Sequence, residues 1–130
     1  MKKVDQKKLH NPKKGINGDC VRASVASVLE LPIDKVPSWE DLSNREFWHE
    51  YIKFLGRNGY GLYRINVGAK EPHPKILKGE YEYYFMIGPS PRFPDESHQC
   101  VGHKGKLVHD PHPDRTGLKS LRNVEILVKL

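Results

Sequence analysis

The sequence predicts an α+β domain in which helices come first and antiparallel strands follow. Two segments of the first half have the apolar spacing of helices, and the second half holds runs rich in aromatic and β-branched residues. A chain of 130 residues, 37% hydrophobic and 29% charged, fits one globular domain. Since no stretch approaches the roughly 20 apolar residues of a membrane span, we expect a cytoplasmic protein without a membrane partner.

The first predicted helix runs from about Cys20 to Leu29. Apolar residues recur there at helical spacing, and the alanines and serines between them are small enough to pack closely on a sheet. Asp19 stands where its side chain can cap the helix, and Pro32 follows the end of the helix. We expect this helix to be central and largely buried.

A second helix is predicted after Ser43, because Ser43 and Glu46 have the spacing of a capping box. It should stop near Gly56 or Gly59, where the chain can turn. Extended chain is expected over Leu62 to Val67, and strands over Tyr81 to Ile87, His98 to Val108 and Val124 to Leu130, with a hairpin turn at Lys104-Gly105.

The charge of the chain lies at its start. Residues 1–14 hold six lysines and one aspartate, which gives +5 of the total of +6. We therefore divide the chain into a lysine-rich irregular N-terminal arm, residues 1–17, and a single domain, residues 18–130. The domain has no long basic stripe, which argues against a nucleic-acid partner, and we interpret the arm as a solubilising terminus.

Two cysteines, Cys20 and Cys100, are too few for a disulfide framework, so each is judged as a free thiol. Cys20 falls in the first turn of the predicted helix, where unpaired backbone N–H groups and the helix dipole favour a thiolate. The preceding Gly18 would let a substrate or a strand approach the backbone closely. A buried, inert cysteine is the structural alternative, and Gly18-Asp19-Cys20 alone does not separate the two.

A thiol nucleophile needs an imidazole within reach and a group that orients the ring. His98 begins one predicted strand and Asp110 ends the next, so a hairpin can bring the carboxylate beside the imidazole. His98 shares one face of its strand with Cys100 by the two-residue period. His98 is therefore the first candidate for the base, and His103, at the turn, is the second.

These candidates stand in segments that resemble a known family. Residues 18–32, with the sequence GDCVRASVASVLELP, resemble the nucleophile helix of small phage and bacterial papain-like proteins related to bacteriocin-processing peptidases. Residues 88–92, 98–102 and 105–113 are similar to the histidine hairpin of that group and its aspartate-proline end. The resemblance implies a papain-like cysteine-peptidase fold, with the nucleophile helix packed on an antiparallel sheet.

The same resemblance implies roles for three residues: Cys20 as nucleophile, His98 as base and Asp110 as the carboxylate that orients the base. One element of the family pattern is missing. These peptidases place an oxyanion-stabilising glutamine about six residues before the cysteine, where this chain has Lys14. Gln6 could still reach the site if residues 9–17 loop out, and Asn17 is an alternative amide donor, so both are oxyanion candidates.

A metal site is not predicted, although His98, His103, Cys100 and the His109-to-His112 segment hold ligand types that zinc uses. The chain has no Cys-x-x-Cys pair, and Pro111 breaks the histidine-rich segment. We interpret His109 and His112 as surface residues beside a rigid turn, and we predict no cofactor.

Other residues have weaker interpretations. Arg92 could recognise a substrate carboxylate, because guanidinium groups pair bidentately with carboxylates. The simpler interpretation of Ser90-Pro91-Arg92 is a polar loop before the histidine strand. Trp39, Trp48 and Tyr51 are interpreted as core residues.

Two functions follow as hypotheses. The first is a papain-like cysteine hydrolase or acyltransferase that acts on an amide, peptide or isopeptide bond of a protein or peptide substrate through a Cys20 thioester. In it, Asp110→Asn should lower turnover and leave the fold almost unaffected. The alternative is a non-catalytic phage-type binding module that engages a host protein in the host cytoplasm through the lysine-rich arm.

Overall fold

A computed structural model of the protein describes residues 1–67 and 83–130. Within these ranges two helices precede the strands, in the α+β order that the sequence predicts. The helices are α1 (Cys20–Leu29) and α2 (Asn44–Arg57), with one-turn 3-10 helices at Pro12–Lys14 and Ile33–Lys35. The strands are β1 (Tyr60–Asn66), β2 (Tyr84–Pro89), β3 (Ser97–His103), β4 (Lys106–His109) and β5 (Asn123–Lys129).

Both helices begin where the sequence predicts. Asp19 occupies the N-cap position of α1, but its side chain makes no hydrogen bond to the helix, contrary to the expected capping role. Helix α2 follows Ser43, whose Oγ accepts the N–H of Glu46 at 3.2 Å. It ends at Arg57, between the two glycines predicted as its stop. Neither helix of the described ranges is long and apolar enough to cross a membrane.

The strands form one sheet in the order β1-β5-β2-β3-β4, and every neighbouring pair is antiparallel. The β3–β4 hairpin turns at Lys104 and Gly105, as predicted, and their φ angles of 51° and 81° fit a type I′ turn. Strand β2 begins at Tyr84, and the first residues of the run predicted from Tyr81 lie outside the described ranges.

Helix α1 packs on the sheet through its small residues. Residues 23–27 are buried, and Ser24 Oγ donates a hydrogen bond to the carbonyl oxygen of Gln99, on β3, at 3.3 Å. Small side chains permit this close approach, which sets the first residue of the helix near the start of β3. Trp39 and Tyr51 lie in the core beside this helix, as predicted.

The N-terminal arm is irregular, apart from its one 3-10 turn, but its backbone is fixed to the domain. The Lys2 N–H donates to the carbonyl oxygen of Ser27 at 3.0 Å, on α1. The Gln6 N–H donates to the carbonyl oxygen of Pro111 at 2.9 Å, just beyond β4. The arm therefore joins the helix to the loop that follows the hairpin.

His109 is part of this attachment, so its interpretation as a surface residue is wrong. The ring is 3% exposed, and its Nε2 lies 2.8 Å from the carbonyl oxygen of Val4. The arm covers the ring, and a contact across 105 positions of the chain cannot be read from local spacing.

Candidate functional site

The nucleophile candidate lies at the wall of a cleft. Cys20 is the first residue of α1 and is half-buried. The first N–H groups of a helix have no acceptor within the helix, so partial positive charge gathers around this residue. Cys20 lines a cleft of about 180 Å³ together with His98, Gln6, Asn17 and Arg92, all of which are candidates from the sequence.

The hairpin brings the other two candidates together. His98 is the second residue of β3, and Asp110 directly follows β4. His98 Nε2 lies 2.7 Å from Asp110 Oδ1, and both side chains are buried. Asp110 is held in place by two backbone N–H groups: His112 donates to Oδ1 at 2.9 Å and Gly117 to Oδ2 at 2.7 Å. The carboxylate therefore fixes one nitrogen of the ring and leaves the other for the thiols.

The environment of this pair shifts the pKa of both groups. Burial of the His98 ring lowers its pKa, but hydrogen bonds with Asp110 and with both thiols outweigh that effect and raise the pKa to about 11. Burial raises the pKa of Asp110, but hydrogen bonds from the ring and from the two backbone N–H groups lower it to about 2. At neutral pH the pair is an imidazolium that faces a carboxylate.

This ion pair predicts how stability depends on pH. The His98 pKa is raised from 6.5, so its contribution is complete below about pH 6.5 and declines as the pH rises toward about 11. The Asp110 pKa is lowered from 3.8, so the contribution also declines as the pH falls from about 4 toward about 2. Urea unfolding from pH 6 to pH 9 should show the free energy of unfolding decline, by up to about 1.4 kcal/mol per pH unit.

The matched control for this measurement is His98→Gln, which keeps a hydrogen-bond donor for Asp110 but does not titrate. The difference in the free energy of unfolding between the wild type and this variant should shrink as the pH rises. A difference that stays constant across this range would contradict an imidazolium at position 98.

Cys100 belongs to the same cluster, and its contact with the base was not predicted. Two residues beyond His98 on β3, it is fully buried and forms a hydrogen bond with the His98 ring. Burial raises the pKa of the Cys100 thiol, which therefore keeps its proton at neutral pH. The two-residue strand period that placed His98 and Cys100 on one face was the available signal.

His98, Cys100 and Asp110 are ligand types that lie close together, but the contact between two of them has the length of a hydrogen bond. Ligand atoms of His98, Cys100 and Asp110 lie within 4.8 Å of one another. However, the distance of 2.7 Å between His98 Nε2 and Asp110 Oδ1 is that of a hydrogen bond. Two ligands of one tetrahedral zinc ion would stand about 3.3 Å apart.

Gln6 reaches the cleft because the chain between it and Cys20 loops out. Asn11 and Ile16 exchange two backbone hydrogen bonds, at 2.8 and 3.0 Å, which close the base of this loop. The Gln6 side chain packs on Gly18, where a Cβ atom would lie 3.0 Å from Gln6 Nε2. Glycine at position 18 therefore makes room for the amide two residues before Cys20.

The other amide and the arginine of the cleft are bound to nearby acids. Asn17 Nδ2 donates to Asp41 Oδ1 at 3.1 Å. Arg92 Nη1 contacts both oxygens of Asp114, at 2.9 and 3.0 Å. Arg92 lies in the cleft, but a substrate carboxylate would have to compete with Asp114 for its guanidinium group.

The remaining histidine candidates lie in different surroundings. His103 stacks on Tyr83, with ring centroids 4.6 Å apart, and does not line the cleft. His112 lines the cleft and is only partly exposed, so its interpretation as a surface residue is also wrong. Its ring centroid lies 6.4 Å from that of His98, because the turn after Asp110 folds back over the hairpin.

Comparison with known proteins adds no relative: no protein-family model, curated protein or solved structure matches the chain. What the geometry defines is an α+β protein in which a thiol and an imidazole line one cleft and a buried carboxylate contacts the imidazole.

Proposed function

We propose that this protein is a papain-like cysteine hydrolase or acyltransferase, with Cys20 as nucleophile, His98 as the acid and base, and Asp110 as the group that orients the ring. The observation that carries the proposal is the buried hydrogen bond of 2.7 Å from His98 to Asp110, beside a half-buried cysteine at a helix start. Substrates are amide, peptide or isopeptide bonds of proteins or peptides.

The proposed reaction begins with the Cys20 proton on His98, and the Cys20 sulfur attacks the carbonyl carbon of the substrate, which forms an S–C bond and an oxyanion. The His98 imidazolium gives its proton to the leaving amine as the C–N bond breaks, and a thioester on Cys20 remains. Water, or an amine in the case of transfer, then attacks the thioester and gives a proton to His98, and the C–S bond breaks to release the acyl product and restore the Cys20 sulfur. Asp110 stabilises the imidazolium in both half-reactions.

For the oxyanion hole we propose Gln6 and the backbone N–H of Cys20. One N–H of the Gln6 side chain donates to the carbonyl oxygen of Lys8 at 3.0 Å, which leaves the other for an oxyanion. Asn17 also has one amide N–H left, since its Nδ2 donates to Asp41, but its side chain is exposed, which makes it the weaker candidate.

The binding-module alternative has less support. It needs free positive charge on the arm, yet Lys7 Nζ lies 2.6 Å from Asp34 and Lys8 Nζ lies 3.0 Å from Glu40. These ion pairs neutralise part of the positive charge of the arm within the molecule. We therefore base the proposed function on the cluster at Cys20.

Labelling with iodoacetamide tests the proposal. We expect mass spectrometry of the native protein to find Cys20 alkylated and Cys100 unmodified, because Cys100 is fully buried and burial raises its pKa. Unfolding in urea should expose both thiols, and Cys100→Ser should leave the labelling of Cys20 intact. Alkylation of Cys20 no faster than that of glutathione at the same pH would contradict an activated nucleophile.

A further inference from the structure

The side chain of the residue before the nucleophile accepts its hydrogen bonds from the arm, and its contact with the helix is an ion pair from Asp19 Oδ2 to Arg22 Nη1 at 3.6 Å. The Asp19 side chain is fully buried, and its Oδ1 accepts the backbone N–H groups of Lys7, at 3.1 Å, and Lys8, at 2.9 Å. No hydrogen bond runs from this side chain to α1. A buried carboxylate oxygen with two backbone donors is a strong and directional attachment.

A second set of contacts connects this attachment to Gln6. The backbone N–H of Asp19 donates to the carbonyl oxygen of Lys8 at 3.2 Å, and the same oxygen accepts Gln6 Nε2 at 3.0 Å. Asp19 therefore binds both the backbone N–H and the carbonyl oxygen of Lys8. The Gln6 amide donates to the same carbonyl oxygen. On the other side, the Gln6 N–H is bound to Pro111.

Together these contacts hold Gln6 between Asp19, the residue before Cys20, and Pro111, the residue after Asp110. Contacts of the exposed lysine side chains cannot do this, since they fix the ends of long flexible chains and not the backbone. The Asp19 carboxylate joins the backbone of residues 7 and 8 to the residue before the nucleophile. Nearer its start, the arm is joined to α1 by the Lys2 and Val4 N–H groups, which bind Ser27.

We propose that Asp19 is a positioning residue that sets Gln6 in the oxyanion hole, an inference that rests on the function proposed above. Asp19 does not touch the reacting atoms. It acts through the backbone of residues 7 and 8 and the Lys8 carbonyl, and it places the Gln6 amide beside Gly18, in the cleft that Cys20 lines.

Two electrophiles that react with the Cys20 sulfur distinguish this role from a general loss of thiol reactivity. Acylation of Cys20 by p-nitrophenyl acetate forms an S–C bond, passes through an oxyanion and expels p-nitrophenolate, so it uses the oxyanion hole. Alkylation by iodoacetamide forms an S–C bond as iodide leaves, and no oxyanion arises. The ratio of the acylation rate constant to the alkylation rate constant therefore reports the oxyanion hole alone.

We expect Asp19→Ala to lower this ratio about tenfold or more, and Gln6→Ala to lower it by a similar factor. Asp19→Asn keeps the Oδ1 acceptor for both backbone N–H groups and should restore most of the ratio. Because Asp19 acts through Gln6, the double variant should be no worse than Gln6→Ala alone. If Asp19→Ala does not fold, Asp19→Ser replaces it, since serine caps a helix well but is too short to reach the arm.

Asp34→Asn is the matched control, because Asp34 also contacts Lys7, but through an exposed side-chain pair. Its ratio should equal that of the wild type. Folded Asp19→Ala or Asp19→Ser protein with the wild-type ratio would overturn the positioning role, and so would losses that multiply in the double variant. Failure of the proposed function itself looks different, since the wild type would then not be acylated on Cys20 at all.

Discussion

Replacing Asp110 with asparagine should slow acylation of Cys20 by p-nitrophenyl acetate about a hundredfold or more. The carboxylate lies 2.7 Å from His98 Nε2 and helps to raise the pKa of the ring to about 11. An amide gives no such stabilisation of the imidazolium, and it can hold the ring in the wrong tautomer. The release of p-nitrophenolate and the mass of the acetylated protein measure the effect.

The same substitution should also loosen the fold, in contrast to the sequence-based expectation that the fold is almost unaffected. Asp110 accepts backbone N–H groups from His112 and Gly117 as well as the ring contact. Asparagine has one acceptor oxygen in place of two, so one of these donors loses its partner, at a cost of about 1–3 kcal/mol. Rates must therefore be compared below the melting temperature of the variant.

Asp114→Asn serves as the control for Asp110→Asn. Asp114 lies in the same turn and accepts the backbone N–H of Thr116 at 3.0 Å, so its loss loosens the loop in a similar way. Because Asp114 does not contact His98, acylation should stay within about twofold of the wild type. Full activity in Asp110→Asn would rule out the triad.

The parts of this fold that the sequence predicted are those that depend on local patterns. Helix α1 has the predicted bounds because its apolar and small residues follow the helical period over ten consecutive positions. The β3–β4 hairpin follows from a two-residue loop that contains a glycine. That hairpin alone sets His98 beside Asp110, so these two candidates could be chosen from spacing.

The parts that sequence reasoning missed depend on contacts between distant residues. Asp19 stands at a position where an aspartate commonly caps a helix. Its carboxylate instead accepts two backbone N–H groups of the arm and none of the helix. His109 alternates away from Asp110 on β4, a position that reads as exposed until Val4 covers it. No local period encodes where an irregular arm of 17 residues will lie.

Gln6 was predicted in part from its residue type, and its position depends on contacts between distant residues. Its residue type suited an oxyanion donor, but its distance from Cys20 along the chain did not fit the family spacing. The loop closed by Asn11 and Ile16 removes the intervening residues from the path and brings Gln6 to the cleft. Residue chemistry could therefore name Gln6 as a candidate, but only the tertiary structure shows that it lines the cleft with Cys20.

The choice of base gives the last prediction. His98→Gln should lower the rate of Cys20 alkylation and acylation about a hundredfold or more, because no imidazolium then faces the sulfur. Glutamine is preferred to alanine, since its amide can donate to Asp110, whereas alanine would leave the buried carboxylate with only the backbone N–H groups of His112 and Gly117.

His103→Ala should leave both rates within about twofold of the wild type. His103 ends β3, at the far end of the strand from His98, and its ring stacks on Tyr83 outside the cleft. The two variants thus alter two imidazoles of one strand, of which His98 lines the cleft with Cys20 and His103 does not. Loss of thiol reactivity in His103→Ala, with reactivity kept in His98→Gln, would show that the wrong histidine was chosen.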